Sequence, residues 1–176
     1  MAKLQHLIDL GQSIWHENTR PSFLNSKEVQ ALLAEGVSGL SASYPSLAAT
    51  ILHTSEHDSA LRSLLAEGFE PDQILESLLL AETRQAAGLL LPIFERTNGA
   101  GGYVSSPINP RWVDVLENTV TEAWVQYASL ERPNGMVRVP ATHAGIQALD
   151  RLIGQGVNVH VTQIYSRSQY RAVADA

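Results

Sequence analysis

Five short apolar segments recur along this chain, and a stretch of helical periodicity trails each of them. The segments are "GQSIWHEN", "VSGLSAS", "GGYVSSPINP", "GMVRVP" and "VNVHVTQIYS". Antiparallel neighbours can be joined by a tight turn, whereas parallel strands need a crossover long enough to carry a helix. The intervening stretches supply such crossovers. "SKEVQALLAEG" has Ser26 as its N-cap and Gly36 as its stop, and "PSLAATIL", "HDSALRSLLAEG" and "PDQILESLLLAETRQAAGLLLPIFERTNG" fill the long interval before the third strand. Pro92, inside the last of these, predicts a kink or an early end. "RWVDVLENTVTEAWVQYASL" places Trp112, Val113, Leu116, Val120, Ala123, Trp124 and Tyr127 in a stripe of helical period, and "HAGIQALDRLIGQG" and "RSQYRAVADA" follow the fourth and fifth strands. Strands apolar on both faces, each followed by a helix, predict an α/β fold with a parallel sheet covered by helices.

No repeat, low-complexity tract or linker divides the sequence, so one domain over residues 1–176 is expected. That length buries a real core but falls short of the roughly 250 residues of a closed eight-stranded α/β barrel. The formal charge of -6 comes with no basic run, which argues against nucleic acid and against an anionic membrane surface. Cysteine is absent, so disulfides, thiolate catalysis and Cys-ligated metal centres are excluded. The opening "MAKLQHLIDLGQ" mixes polar residues into its apolar pattern and does not read as a secretory signal. No run approaches the roughly 18 apolar residues of a spanning helix, and a soluble, cytoplasmic protein is expected.

Ligands of parallel α/β sheets bind at the carboxyl ends of the strands. The polar residues there are Glu17, Asn18, Ser41 to Ser43, Ser105, Ser106, Arg138, Thr142, His160, Thr162 and Ser166. A serine or threonine in that place more often caps the next helix than performs chemistry. Glu17 and Arg138 both face the inside of a curled sheet and are expected to pair if they approach. His160 is either a general base or a satisfied core histidine. His53 and His57, with Glu56 between them, have a spacing that would put both imidazoles on one helical face. It is not the zincin spacing, and cap or surface roles read better than metal ligation. The glycines of "NGAGGY" precede a strand instead of joining strand to helix, so they make a poor phosphate loop. No cofactor or metal is expected.

The stretches "LGQSIWHEN", "LLAEGVSGL", "GGYVSSPINP", "RPNGMVRVPATHAGIQAL" and "GVNVHVTQIYSRSQY" resemble, in order and spacing, those of transaldolases, from about Leu10 onward. Transaldolases are TIM-barrel enzymes of the pentose phosphate pathway, which move a dihydroxyacetone unit between sugar phosphates through a Schiff base on a strand lysine. The resemblance therefore implies an incomplete TIM-type (β/α) barrel of about five parallel strands. It places Arg138 where the family carries its lysine, and Glu17 where it carries an acid/base aspartate. A substrate-contacting asparagine falls on Ser43 or Tyr44, and a glutamate that positions water falls on Pro107. His160 replaces another asparagine, while Thr162 keeps the family's threonine. Glu17, Arg138 and Thr162 are thus the candidate catalytic positions, and Ser43, His160 and Ser166 the candidate substrate contacts.

Arginine stays protonated at any accessible pH and cannot form a carbinolamine. The chain holds two lysines, Lys3 and Lys27, neither on a predicted strand. The resemblance thus implies a non-catalytic homologue or weak sugar-phosphate binder. The alternatives are an active transferase with altered residues and a subunit that completes a barrel with another chain. Because five strands leave two open edges, self-association, a second polypeptide or rearrangement to an open sheet is expected to cover them.

Overall fold

A computed structural model describes residues 4–176; Lys3 lies outside them. After a short helix α1 (Gln5–Asp9), the chain enters β1 (Trp15–His16) and crosses through α2 (Pro21–Leu24) and α3 (Lys27–Glu35) to β2 (Gly39–Ser41). The interval to β3 (Tyr103–Pro107) holds α4 (Tyr44–His53), α5 (Asp58–Ala66) and the long α6 (Pro71–Arg96). A single 3-10 turn at Pro110–Trp112 and α7 (Leu116–Leu130) lead to β4 (Gly135–Pro140), then α8 (His143–Gly154), β5 (Val159–Thr162) and α9 (Arg167–Asp175). All neighbouring strands are parallel and lie in sequence order, β1-β2-β3-β4-β5. That is the winding of a barrel, in which each right-handed crossover adds the next strand beside the last.

Helix ends follow the caps. Ser26 accepts from the N–H groups of Glu28 and Val29 to open α3, and Gly36, at φ 111°, closes it in the left-handed region where a Cβ is costly. Pro92 does not end α6, which runs on to Arg96. The carbonyl that loses its helical partner to this proline belongs to Gly88, and both residues lie on the exposed face, where water can hydrate it.

Burial along β4 alternates. Gly135, Val137 and Val139 are buried under α7 and α8 with Ala123, Ala148 and Leu152, while Met136, Arg138 and Pro140 are half-buried on the opposite face. The register carries that second face across the sheet, setting Pro107 beside Arg138, Arg138 beside His160, and Pro140 beside Thr162. At about 4.8 Å per strand, β1 and β5 are about 19 Å apart along the sheet, yet the rings of Trp15 and His160 meet with centroids 4.8 Å apart. The sheet is therefore strongly curled, not rearranged into an open one, and these side chains fill its concave face. Gly39 makes room for the indole: a Cβ there would sit 2.4 Å from Trp15 Cδ2.

Candidate ligand cleft at the strand ends

A cleft of about 570 Å³ opens at the carboxyl ends of the strands. Every strand contributes to its lining: Glu17 follows β1, Ser43 and Tyr44 follow β2, Pro107 ends β3, Arg138 and Pro140 come from β4, and Thr162 and Gln163 from the end of β5. Arg138 is the fixed point. Its Nη2 donates to the carbonyl of Ala42 at 2.6 Å and its Nη1 to Glu17 Oε2 at 3.2 Å. The two partners are held unequally, since the Arg138 side chain is 15% exposed and that of Glu17 57%. The guanidinium is built into the floor, and the carboxylate leans over it from solvent.

His160 lies beside Arg138 in the sheet. Its Nδ1 is 3.1 Å from the hydroxyl of fully buried Ser105, and its ring rests against Trp15. Burial first, and the Arg138 charge second, push its pKa below the ordinary histidine value, so a neutral imidazole is favoured there. The Tyr44 phenol is driven above its usual range by burial and by Glu76, Glu122 and Asp72, which favours the neutral phenol, a hydrogen-bond donor and acceptor, over the phenolate. Glu122 is itself raised, by burial and by the Glu76 charge, against the lowering effect of a hydrogen bond from the Asn109 backbone.

Several candidate hydroxyls are engaged in capping. Ser43 accepts from Ser46 N–H to open α4, and Thr142 accepts from Gly145 N–H to open α8 while donating to the Val113 carbonyl. Ser166 caps α9, is exposed, and is not among the residues lining the cleft. Thr162 does line it. Gln163, in the left-handed region at φ 60°, and Tyr165 also line the cleft and were not singled out from sequence. Their signal was position alone, one and three residues past the fifth strand.

The two histidines of the "HTSEH" stretch do not share a helical face. His53 ends α4, whereas His57 occupies the N-cap position of α5 and turns inward to place Nε2 2.9 Å from Glu82 Oε1. Glu56 binds the N–H and hydroxyl of Ser22. Among the described residues, no group of three or more His, Asp or Glu side chains is arranged to hold a metal ion. No helix among them is long and apolar enough to cross a membrane.

A curled parallel sheet wound in sequence order, with its cleft at the strand ends, defines a partial (β/α) barrel of TIM type. Residues 22–176 match the family model described as transaldolase/fructose-6-phosphate aldolase, and the chain belongs to that family. It is 39% identical to a transaldolase of Thiobacillus denitrificans over 169 residues, covering 95% of this chain and 47% of that protein. It is 33% identical to one of Thermobifida fusca, covering 98% and 47% respectively. A transaldolase of Neisseria gonorrhoeae is 32% identical, with 96% and 48% covered. The chain thus spans about half the length of these curated relatives.

Proposed function

We propose that this chain is a family member without lysine Schiff-base transfer, and that its cleft holds a phosphorylated sugar weakly through Arg138. One observation carries the reading: the residue fixed at the cleft floor, at the position where the resemblance calls for a lysine, is an arginine. A Schiff base needs an amine that spends part of its time neutral. Lys27 is exposed at the start of α3, and among the described residues none lining the cleft is a lysine. A guanidinium instead offers a permanent charge and several N–H donors to an anion.

Two measurements test this. Borohydride reduction in the presence of fructose 6-phosphate, followed by intact mass, is expected to show no reduced adduct; a stoichiometric adduct overturns the reading. Thermal unfolding with millimolar fructose 6-phosphate is expected to show a raised midpoint that Arg138→Ala abolishes, because a ligand stabilises only the state that binds it. No shift in the wild type removes the ligand reading.

A further inference from the structure

The outward face of α7 is not built like a solvated helix face. The helix follows β3, the middle strand of the sheet, so its outer side is remote from both sheet edges. Its inner side is packed, with Ala123 against Val137 of β4 and Ala148 of α8. Its flanks are closed as well: Arg84 of α6 donates to the Ser129 carbonyl at 3.0 Å, and Arg151 of α8 to Glu117 Oε1 at 2.7 Å. The exposed residues of α7 are Glu117, Asn118, Thr121, Trp124, Val125 and Ala128. Glu117 alone among them is charged, and Arg151 already pairs with it.

Two indoles flank this face, Trp112 41% and Trp124 50% exposed, and Val125 is 50% exposed. Thr121 lies between two shallow grooves of about 260 and 270 Å³, the first walled by Trp112 and the second by Trp124. Tryptophan among uncharged neighbours is the composition of an interface centre, where charged residues are depleted. Charge is placed at the two ends instead: exposed Asp114 precedes α7 and exposed Arg132 follows it. Two such faces laid parallel would set Asp114 on Asp114 and Arg132 on Arg132. Laid antiparallel, they set each Asp114 on the other copy's Arg132, and complementary charge of this kind fixes orientation. Position 123 is midway between the two charges. A two-fold axis at that level also sets Thr121 opposite Val125 and Asn118 opposite Ala128, and it brings the two Trp124 indoles together. The face is thus complementary to itself, as an interface with two-fold symmetry requires.

We propose that the outward face of α7 docks on the same face of a second copy of this chain, antiparallel about a two-fold axis beside Trp124. This is independent of what the cleft binds. Sedimentation equilibrium of the 176-residue chain, over concentrations from about 1 to about 300 μM, is expected to show a reversible dimer. Trp124→Glu is expected to raise its dissociation constant at least about tenfold, as loss of a central aromatic anchor does, with circular dichroism unchanged because the indole is half exposed. If that variant fails to fold, Thr121→Arg puts a charge at the seam from an exposed position and serves instead. Asp114→Arg and Arg132→Asp are each expected to weaken the dimer several-fold, and the two together to restore it. A chain that stays monomeric throughout overturns the proposal, and so does a dimer that survives both Trp124→Glu and Thr121→Arg, which would be using another surface. Failure of the double charge exchange to restore a dimer that each single change weakens overturns the antiparallel arrangement.

Discussion

Of the carboxylates that meet basic side chains in this molecule, Glu82 and Glu17 are built on opposite terms. Glu82 of α6 accepts from Thr19 Oγ1 at 2.9 Å and lies 2.9 Å from His57 Nε2, with Thr19, His57 and Glu82 only 1%, 5% and 4% exposed. Both carboxylate oxygens have protein partners, and water is shut out. Glu17 makes one longer bond to Arg138 and remains more than half exposed. The first arrangement ties the loop after β1 and the entry of α5 to α6, leaving no capacity for anything else. The second leaves the carboxylate free to exchange Arg138 for water, and the guanidinium free to take another anion in its place. A satisfied, buried polar group belongs to the scaffold, and an unevenly buried pair in a cleft is where a ligand can compete.

The largest effect is expected from breaking the scaffold group. Glu82→Ala strands the Thr19 hydroxyl and the His57 ring in a dry interior, and removing one partner of such a buried set costs about 3 kcal/mol or more. For a domain of this size that is a fall of about 10 °C in unfolding midpoint. Glu82→Gln keeps the volume but one acceptor oxygen fewer, and should lose about half as much. A Glu82→Ala protein of wild-type stability in urea titration would dissolve the contrast.

Arg138→Ala comes next. It frees the Ala42 carbonyl but leaves Glu17 in water, so a cost of about 1–2 kcal/mol is expected, together with loss of the ligand-induced rise in midpoint. The same variant bears on His160. The folded-state pKa of this residue lies below its unfolded value, so the native state binds fewer protons there. The associated stability is fully present above about pH 6.5, falls as the pH drops below that value, and levels off once the pH is under the folded pKa. An NMR titration should place the wild-type His160 midpoint below the ordinary value. In Arg138→Ala it should rise only part of the way back, because burial is the larger cause. A midpoint at or above the ordinary value in the wild type contradicts the described packing.

The strands and the cleft's location were legible because short-range signals carry them: apolar runs bounded by turn residues, and helices opened by Ser26, Ser43 and Thr142; the barrel-like order of the strands followed only from the family resemblance. Arg138 was legible as an anomaly at a strand end. The buried set around Glu82 was not, because its members lie 63 and 25 residues apart in sequence. One clue was available. Ile74, Leu78, Ala86 and Leu90 form a buried row at four-residue spacing along α6, and Glu82 sits in the middle of it. A carboxylate in an apolar row demands a partner, although nothing local says which. His57 was legible at the start of a helix, where the structure has it as the N-cap residue of α5, but its burial against Glu82 was not, because nothing local marks an inward-facing cap.

The smallest and sharpest effect concerns Glu17. If its carboxylate competes for the Arg138 guanidinium, Glu17→Gln removes the competitor while Ala42 still fixes the arginine. The exposed pair contributes little to stability, so the unfolding free energy should change by less than about 0.5 kcal/mol. Affinity for inorganic phosphate, read by calorimetry at low salt, should nevertheless rise several-fold, and the gain should shrink as added salt screens the charges. Arg138→Ala combined with Glu17→Gln should bind no phosphate, which separates loss of a competitor from a general change in cleft charge. Equal phosphate affinity in the wild type and Glu17→Gln makes the pair a structural tie like the one at Glu82, and the two regions then differ in exposure alone.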